Sequence, residues 1–338
     1  MNALEHLLPK PGEHPFAPVV RILGKGKHGS RSLSFAEAEA AMAMILRGEV
    51  EDVQLGAFLM LLRVKEESPE EIAGFVAAVR ASMKVPKHTP KVVLDWPTYA
   101  GKRAQHPWFV LAALLLQQAG ISVLMHGSAG HTAHRLYTEQ VVHDLGLSRC
   151  DHWAAVENAL HQEGFAYIPL ESFCPPLQRI IDLRNTLGLR SPVHTLTRLI
   201  NPLQAEYSMQ SVFHPAYATI HQSAAEILAA PNTAVFKGES GEIERKPDAT
   251  TTLRLHRHGI NSDVIWPRLQ AERQPDVERP SSDALRALWR DEAHDEYGLH
   301  AVLGTAAIAL LLCQRADNVE RAYETAQQLW ATRLRHRI

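Results

Sequence analysis

The sequence predicts an α/β protein, with a small helical N-terminal domain followed by a larger α/β domain built on a mostly parallel central sheet. Three observations carry this. Two serine-led capping boxes, Ser34-Phe-Ala-Glu37 and Ser68-Pro-Glu-Glu71, mark helix starts in the first quarter of the chain. Beyond Val92, short apolar runs of strand length alternate with helix-length segments, the spacing of parallel βαβ units. Hydrophobic residues make up 46% of the 338 residues and charged residues 21%, an ordinary globular composition large enough for two domains.

Taken in order, Ser34 opens a helix through Leu46 that stops at Gly48. Asp52 starts a second apolar helix through Val64. Ser68 then supplies an N-cap with proline at N1, and that helix runs to about Met83. Lys84–Pro90, with two prolines, reads as a linker, so the helical domain is taken as residues 1–88 and the α/β domain as 89–338. Val92–Asp95, Ile121–His126 and Phe165–Pro169 read as strands. Tyr207–Phe213 and Thr233–Lys237 read as two more. The helices between them are Pro107–Ala119, Thr132–Leu145, Asp151–Gln162, Pro176–Leu187 and Pro215–Ala229. Gly238–Asp248 and Arg268–Ser282 read as polar loops, and Leu299 to about Arg335 as helix.

Composition excludes several classes. Cys150, Cys174 and Cys313 are too few and too scattered for a disulfide framework or a zinc spacing, so reduced thiols in the cytoplasm are expected. The longest apolar runs, such as Val110–Leu116, are too short to span a membrane. Net charge is only −2, but bases cluster: five against one acid from Lys10 to Arg31, and four against one from Gln178 to Ile200. Folding can bring such stretches onto one face.

Local motifs are mostly uninformative. Gly24-Lys-Gly-Lys-His-Gly29 matches a dinucleotide fingerprint, yet no second strand of a βαβ unit follows it. It reads as a basic glycine loop. His131-x-x-His134 and His256-x-His258 have no Cys, Asp or Glu at ligand spacing, and no metal site is expected. There is no G-x-S-x-G elbow.

The run from Phe173 to Leu203 is more specific. Its Arg184, Gly188, Arg190, Asn201 and Pro202 resemble a segment of the anthranilate phosphoribosyltransferase family, an arginine before Leu-Gly-x-Arg and a short helix closing at Asn-Pro. The two capped helices, the strand ending near Pro97, the His126-Gly127 pair and Thr233–Gly238 extend the likeness over nearly the whole chain. The resemblance implies a phosphoribosyltransferase or nucleoside phosphorylase type of fold, part of 175–203 packed on the helical domain, and a homodimer joined through the helical domains.

Departures from the family pattern fall at the donor site. The family's diphosphate loop, Gly-Thr-Gly-Gly-Asp-Gly, is here Pro97-Thr-Tyr-Ala-Gly-Lys-Arg103, keeping Thr98 and Gly101. Its Lys-His-Gly-Asn is Met125-His-Gly-Ser128, and its metal-binding Asp-Glu is Ile243-Glu244. Thr98, Gly101, His126, Gly127, Arg184 and Glu244 are therefore expected to line a vestigial ligand pocket, with no catalytic residue. The reaction depends on a metal and donors that neutralise a diphosphate leaving group.

Cations take the lost positions. The chain resembles a YbiB-like, DNA-binding branch of the family with a similar basic N-terminal loop. That likeness implies sequence-independent binding of a DNA or RNA backbone by a homodimer, without catalysis or cofactor. The expected contacts are Lys25, Lys27, Arg31, Lys102, Arg103, Arg135, Arg179, Arg184, Arg190, Arg198, Arg245 and Lys246. Tyr99, Trp108 and Tyr137 are the aromatics placed near them, as base stackers or as core. The alternative is a phosphoribosyltransferase with an altered donor site, using phosphoribosyl diphosphate and Mg²⁺, in which Arg184 pairs with an acceptor carboxylate and His126 lines the acceptor pocket.

Overall fold

The computed structural model describes residues 7–26, 28–86, 91–128 and 132–338. Lys27, His131 and much of the expected linker lie outside the described residues. The N-terminal part contains α1 (Ala17–Gly24), α2 (Phe35–Leu46), α3 (Asp52–Lys65) and α4 (Pro69–Ser82). Both capping boxes form: Ser34 accepts from the Glu37 amide while Glu37 accepts from the Ser34 amide, and Ser68 and Glu71 do the same. Each glutamate has a second task. Glu37 takes both Arg31 nitrogens at 2.7 Å, and Glu71 takes Lys65 Nζ at 2.7 Å and the Leu33 amide at 2.8 Å. Gly74 lets α4 meet α2 closely, since a Cβ there would lie 2.4 Å from the Phe35 carbonyl. Phe16, Phe58 and Phe75 meet edge to face at 5.4 and 5.8 Å.

The rest of the chain alternates as expected: β1 (Leu94–Thr98), α5 (Phe109–Gln118), β2 (Val123–Gly127), α6 (Thr138–Asp144), α7 (Trp153–Glu163) and β3 (Phe165–Pro169). Four short helices follow, α8 (Leu170–Phe173), α9 (Pro175–Asp182), α10 (Arg184–Leu187) and α11 (Val193–Leu196). Then come β4 (Tyr207–Val212), α12 (Ala216–Ile227), β5 (Asn232–Lys237), β6 (Thr251–Arg257) and β7 (Ile260–Trp266). The chain closes with α13 (Ser282–Trp289), α14 (Glu296–Leu312) and α15 (Val319–Ala331). The seven strands form one sheet in the order β3-β2-β1-β4-β5-β6-β7, parallel through β5 and antiparallel at β6 and β7.

Three features were not legible as elements. The β6–β7 hairpin turns on His258 and Gly259, both at positive φ (46° and 83°), the geometry of a type I′ turn. His256 bonds Asn261 across that hairpin at 2.8 Å, which explains the histidine pair without a metal. The stretch Arg268–Ser282 ends in a cap, with Ser281 Oγ accepting from Asp283 N to start α13. The terminal helix is two helices, because Gln314 sits at φ 55° and Asn318 caps a fresh start.

Two apolar clusters cover the sheet. One packs α5, α14 and α15 on one face, around Trp96, Phe109, Met125, Phe236 and Ile308. The other runs from Phe16 and Phe75 in the helical part to Leu124 and Ile168 on the opposite face, through Leu177 and Leu196. The helical part therefore shares its core with the sheet. Arg80 of α4 fastens the connector before β4, donating to the Leu199 and Ile200 carbonyls at 3.0 and 2.7 Å. Asn201, at φ 41°, then clamps Ala205 through both its carbonyl and its amide at 2.8 and 2.9 Å.

Candidate functional site

In a doubly wound sheet, ligand sites form beyond the carboxyl ends of the parallel strands, where strand order reverses. Here β1 and β4 are neighbours whose connections diverge, and the segments after them converge. The loop after β1 begins with Thr98, whose hydroxyl meets Thr138 Oγ1. Gly127 is pressed against this loop; a Cβ would lie 2.2 Å from the Thr98 carbonyl. Tyr99 turns inward, fully buried, and its hydroxyl bonds His126 Nδ1 at 2.7 Å. His126 Nε2 faces Asp95 Oδ1 at 3.2 Å, and Asp95 Oδ2 accepts from Ser208 Oγ at 3.0 Å. Burial holds the Tyr99 phenol well above the usual range. His126 thus belongs to an internal polar chain, not to the wall of an open pocket.

The loop's amides are already occupied. Ala100 N and Gly101 N both donate to one oxygen of Glu242, at 2.7 and 2.6 Å, and Gly101 reaches this turn at φ 68°. Two successive amides on one oxygen make a small anion nest, filled here by the chain's own carboxylate. Arg135 secures the loop from the other side, donating to the Ala100 and Gly101 carbonyls at 3.0 and 2.8 Å.

Lys102 is corrected by the structure. It does not face solvent: it is fully buried, with its ammonium between Glu239 and Glu244. Glu244 also accepts from Phe109 N at 2.9 Å, at the start of α5, where a helix favours negative charge. Burial opposes the charged form of both partners. The Glu244 carboxyl is pushed up to about 7, whereas the two carboxylates still hold the Lys102 ammonium above the ordinary lysine range. Both Glu239 and Glu244 are paired with this ammonium, so the donor set does not fit a divalent cation while Lys102 stays in place. Among the described residues, no cluster of three metal-ligating side chains occurs.

Arg245 is likewise internal. Its guanidinium carbon lies 5.5 Å from the Trp266 ring centroid, it donates to the Pro267 carbonyl, and its side chain lies against Gly304 of α14. Five other cations expected at the site stand elsewhere or are tied down. Arg31 is held by Glu37, Arg179 pairs with exposed Asp52 beside α3, and Lys246 pairs with Asp248 at 3.4 Å. Lys25 is exposed at the tip of α1, and Arg103 is exposed beside the buried Lys102. Trp108 and Tyr137 are core residues, as is Tyr99, so none of the three offers a ring to solvent.

What does converge is a cleft of about 500 Å³ between the end of α3, the segment 184–198 and the end of β4. Arg63, Arg184, Arg190 and Arg198 line it, with His194, Phe213, His214 and Tyr217. Arg198 is buried and forms the floor, bonding the Ser211 and Gly241 carbonyls at 3.0 and 2.5 Å. Arg63 ties the helical part to this wall by donating to the Arg190 carbonyl at 2.7 Å. Arg190 shows the crowding of charge. Its guanidinium is pushed down to about 10, first by burial and then by Arg135, Arg184 and Arg198. The cleft's acids are the exposed Glu66 and the buried Glu67, whose carboxyl burial pushes up. His221 is buried at the back, bonded to Gln210 Oε1 at 3.0 Å and pushed down to about 3 by burial and by Arg198.

Sequence reasoning missed Arg63, Phe213, His214 and Glu242. Phe213 and His214 follow a parallel strand directly, which is the position where α/β sites gather, and that signal was available. Nothing in the sequence marks Glu242 as the occupant of the β1 loop, 141 residues away from Gly101.

Comparison with known proteins agrees with this architecture. Residues 19–83 match the helical bundle domain of a glycosyl transferase family, and residues 109–332 match its α/β domain. The uncharacterized protein YbiB of Escherichia coli is 28% identical over 71% of this chain and 76% of its own length. An anthranilate phosphoribosyltransferase of Novosphingobium aromaticivorans is 29% identical over 88% of this chain and 91% of its own. The fold is shared with anthranilate phosphoribosyltransferase from Thermus thermophilus, at TM-score 0.76 and 22% identity, covering 89% of this chain and 92% of that one. It is shared too with the Saccharomyces cerevisiae enzyme in complex with PRPP and Mg, at TM-score 0.78 and 17% identity, covering 95% and 94%. With both domain matches in chain order, and the α/β match alone spanning more than half its length, this chain belongs to the glycosyl transferase family that includes the anthranilate phosphoribosyltransferases.

Proposed function

We propose that the chain binds the backbone of DNA or RNA, without sequence preference and without pentosyl transfer, as a homodimer paired through its helical domains. One observation carries this reading: four arginines line a single open cleft, and the charges that weigh most on Arg190 are three other arginines. A cleft in which four arginines face two glutamates draws polyanions, and its guanidinium groups can meet phosphates bidentately. The β1 loop supports the absence of transfer. Its amides hold Glu242, and Lys102 neutralises the carboxylate that the family resemblance assigns to the metal. Val53 and Val64, both highly exposed on α3, offer the helical part an apolar face for a second copy.

The test titrates labelled oligonucleotides at rising salt. Binding at low salt that weakens steeply as salt rises is expected; no binding at low salt, or binding indifferent to salt, removes the reading. A second reading, pentosyl transfer from phosphoribosyl diphosphate with Mg²⁺, is favoured by the curated relatives named as anthranilate phosphoribosyltransferases and by Arg184 facing the cleft. Calorimetry with phosphoribosyl diphosphate and Mg²⁺ separates the two. Micromolar binding of the donor supports transfer and requires Glu242 to leave the loop.

A further inference from the structure

Phe213 is the one aromatic among the large hydrophobic side chains that stand exposed in the described residues, with 54% of its surface open. It stands at the carboxyl end of β4, in the wall of the arginine cleft, with its ring edge-on to His214 at 4.9 Å. Its Cβ lies 3.7 Å from where a Cβ on Gly241 would stand, and the Gly241 carbonyl holds Arg198. Across the cleft the segment 184–198 brings another exposed apolar side chain, Leu189, 47% open. Each exposed apolar group is unremarkable alone. Both lie in one cleft, from two walls, among four guanidinium groups. That pairing of flat apolar surface with multiple cations matches a ligand that is itself part planar ring and part anion.

Resting on the backbone-binding reading, we propose that the ligand is single-stranded nucleic acid, with an unpaired base laid on the Phe213 ring while Arg63, Arg184 and Arg190 take flanking phosphates. A duplex keeps its base faces stacked inside and has none to give. Every base has such a face, so the contact adds affinity without adding sequence preference. A volume of about 500 Å³ exceeds what one phosphate needs, and it falls within the range of roughly 300–1,000 Å³ usual for organic ligands.

The experiment uses the full chain and three fluorescein-labelled probes of equal length: oligothymidylate, an abasic oligomer with the same phosphates, and a duplex. Oligothymidylate is expected to bind more tightly than the abasic oligomer by roughly five- to 150-fold, the range of one base–aromatic stack. Phe213→Ala removes most of that difference and leaves the salt slope alone, while Phe213→Trp keeps it and shows quenched indole emission on binding. Equal affinity for the abasic and thymidylate probes, or a Phe213→Ala variant indistinguishable from the parent, overturns the stacking contact. Equal affinity for duplex and single strand overturns it as well. Salt-dependent binding that survives those results leaves the backbone reading standing, whereas no binding of any probe at low salt removes both.

Discussion

Replacing Arg190 by alanine probes the charge of the cleft most directly. If Arg63, Arg184 and Arg190 each neutralise one phosphate of a single strand, the counterions of three phosphates are released, and log K falls with log salt at a slope of about −2.1. Between about 50 and 200 mM salt that slope weakens binding by about 18-fold. The Arg190→Ala variant retains two such contacts, for a slope of about −1.4 and a loss of about 7-fold over the same range. Because Arg190 is crowded by three like charges, its removal is not expected to lower the melting temperature, so the change in slope is not a folding defect. Fluorescence anisotropy of a labelled oligonucleotide at several salt concentrations measures both slopes. Equal slopes for parent and variant would refute the placement of the ligand in this cleft.

Other expectations follow from the packing. Arg179→Ala, outside the cleft and paired with Asp52, leaves both slope and affinity unchanged in the same anisotropy series. Lys102→Met strands the buried Glu244 carboxyl and the partly buried Glu239 carboxylate and lowers the free energy of unfolding by about 3–5 kcal/mol in urea titrations. Glu244, with a folded value near 7 against an ordinary 4.5, binds its proton more tightly in the folded chain. Its stabilising contribution is complete below about pH 4.5 and is lost as pH rises through about 7. Unfolding titrations across that window should therefore show the parent losing stability relative to Glu244→Gln. Gly127→Ala drives a methyl group to 2.2 Å from the Thr98 carbonyl and should cost about 1–3 kcal/mol, read as a lowered melting temperature.

The sequence made local features plain and distant pairings invisible. Capping boxes at Ser34 and Ser68 depend on residues three apart, and both formed as read. Phe165–Pro169 emerged with its bounds unchanged because a short apolar run between Gly164 and the next helix has one reading. The β6–β7 hairpin was hidden because β7 is an exposed edge strand with little apolar alternation. Charge misled most. Lys102 and Arg245 count as surface cations by type, and only the fold reveals the partners that take them inside. Conversely, the run from Arg184 to Arg198 was legible as basic, while its fourth cleft partner, Arg63, comes from a helix that is acidic in its neighbourhood.

The fastening of the cleft's wall and floor sets how the proposed ligand would be caught. Arg63 ties α3 to the wall through the Arg190 carbonyl, and Arg198 ties the floor to the Ser211 and Gly241 carbonyls, so the lining is held by the chain's own bonds before anything arrives. On the proposed reading, a strand that enters orders few protein groups and spends little of its contact energy on rearrangement. Capture is then governed by encounter, quickened by attraction at low salt, and residence time becomes the quantity that alterations of individual contacts will change.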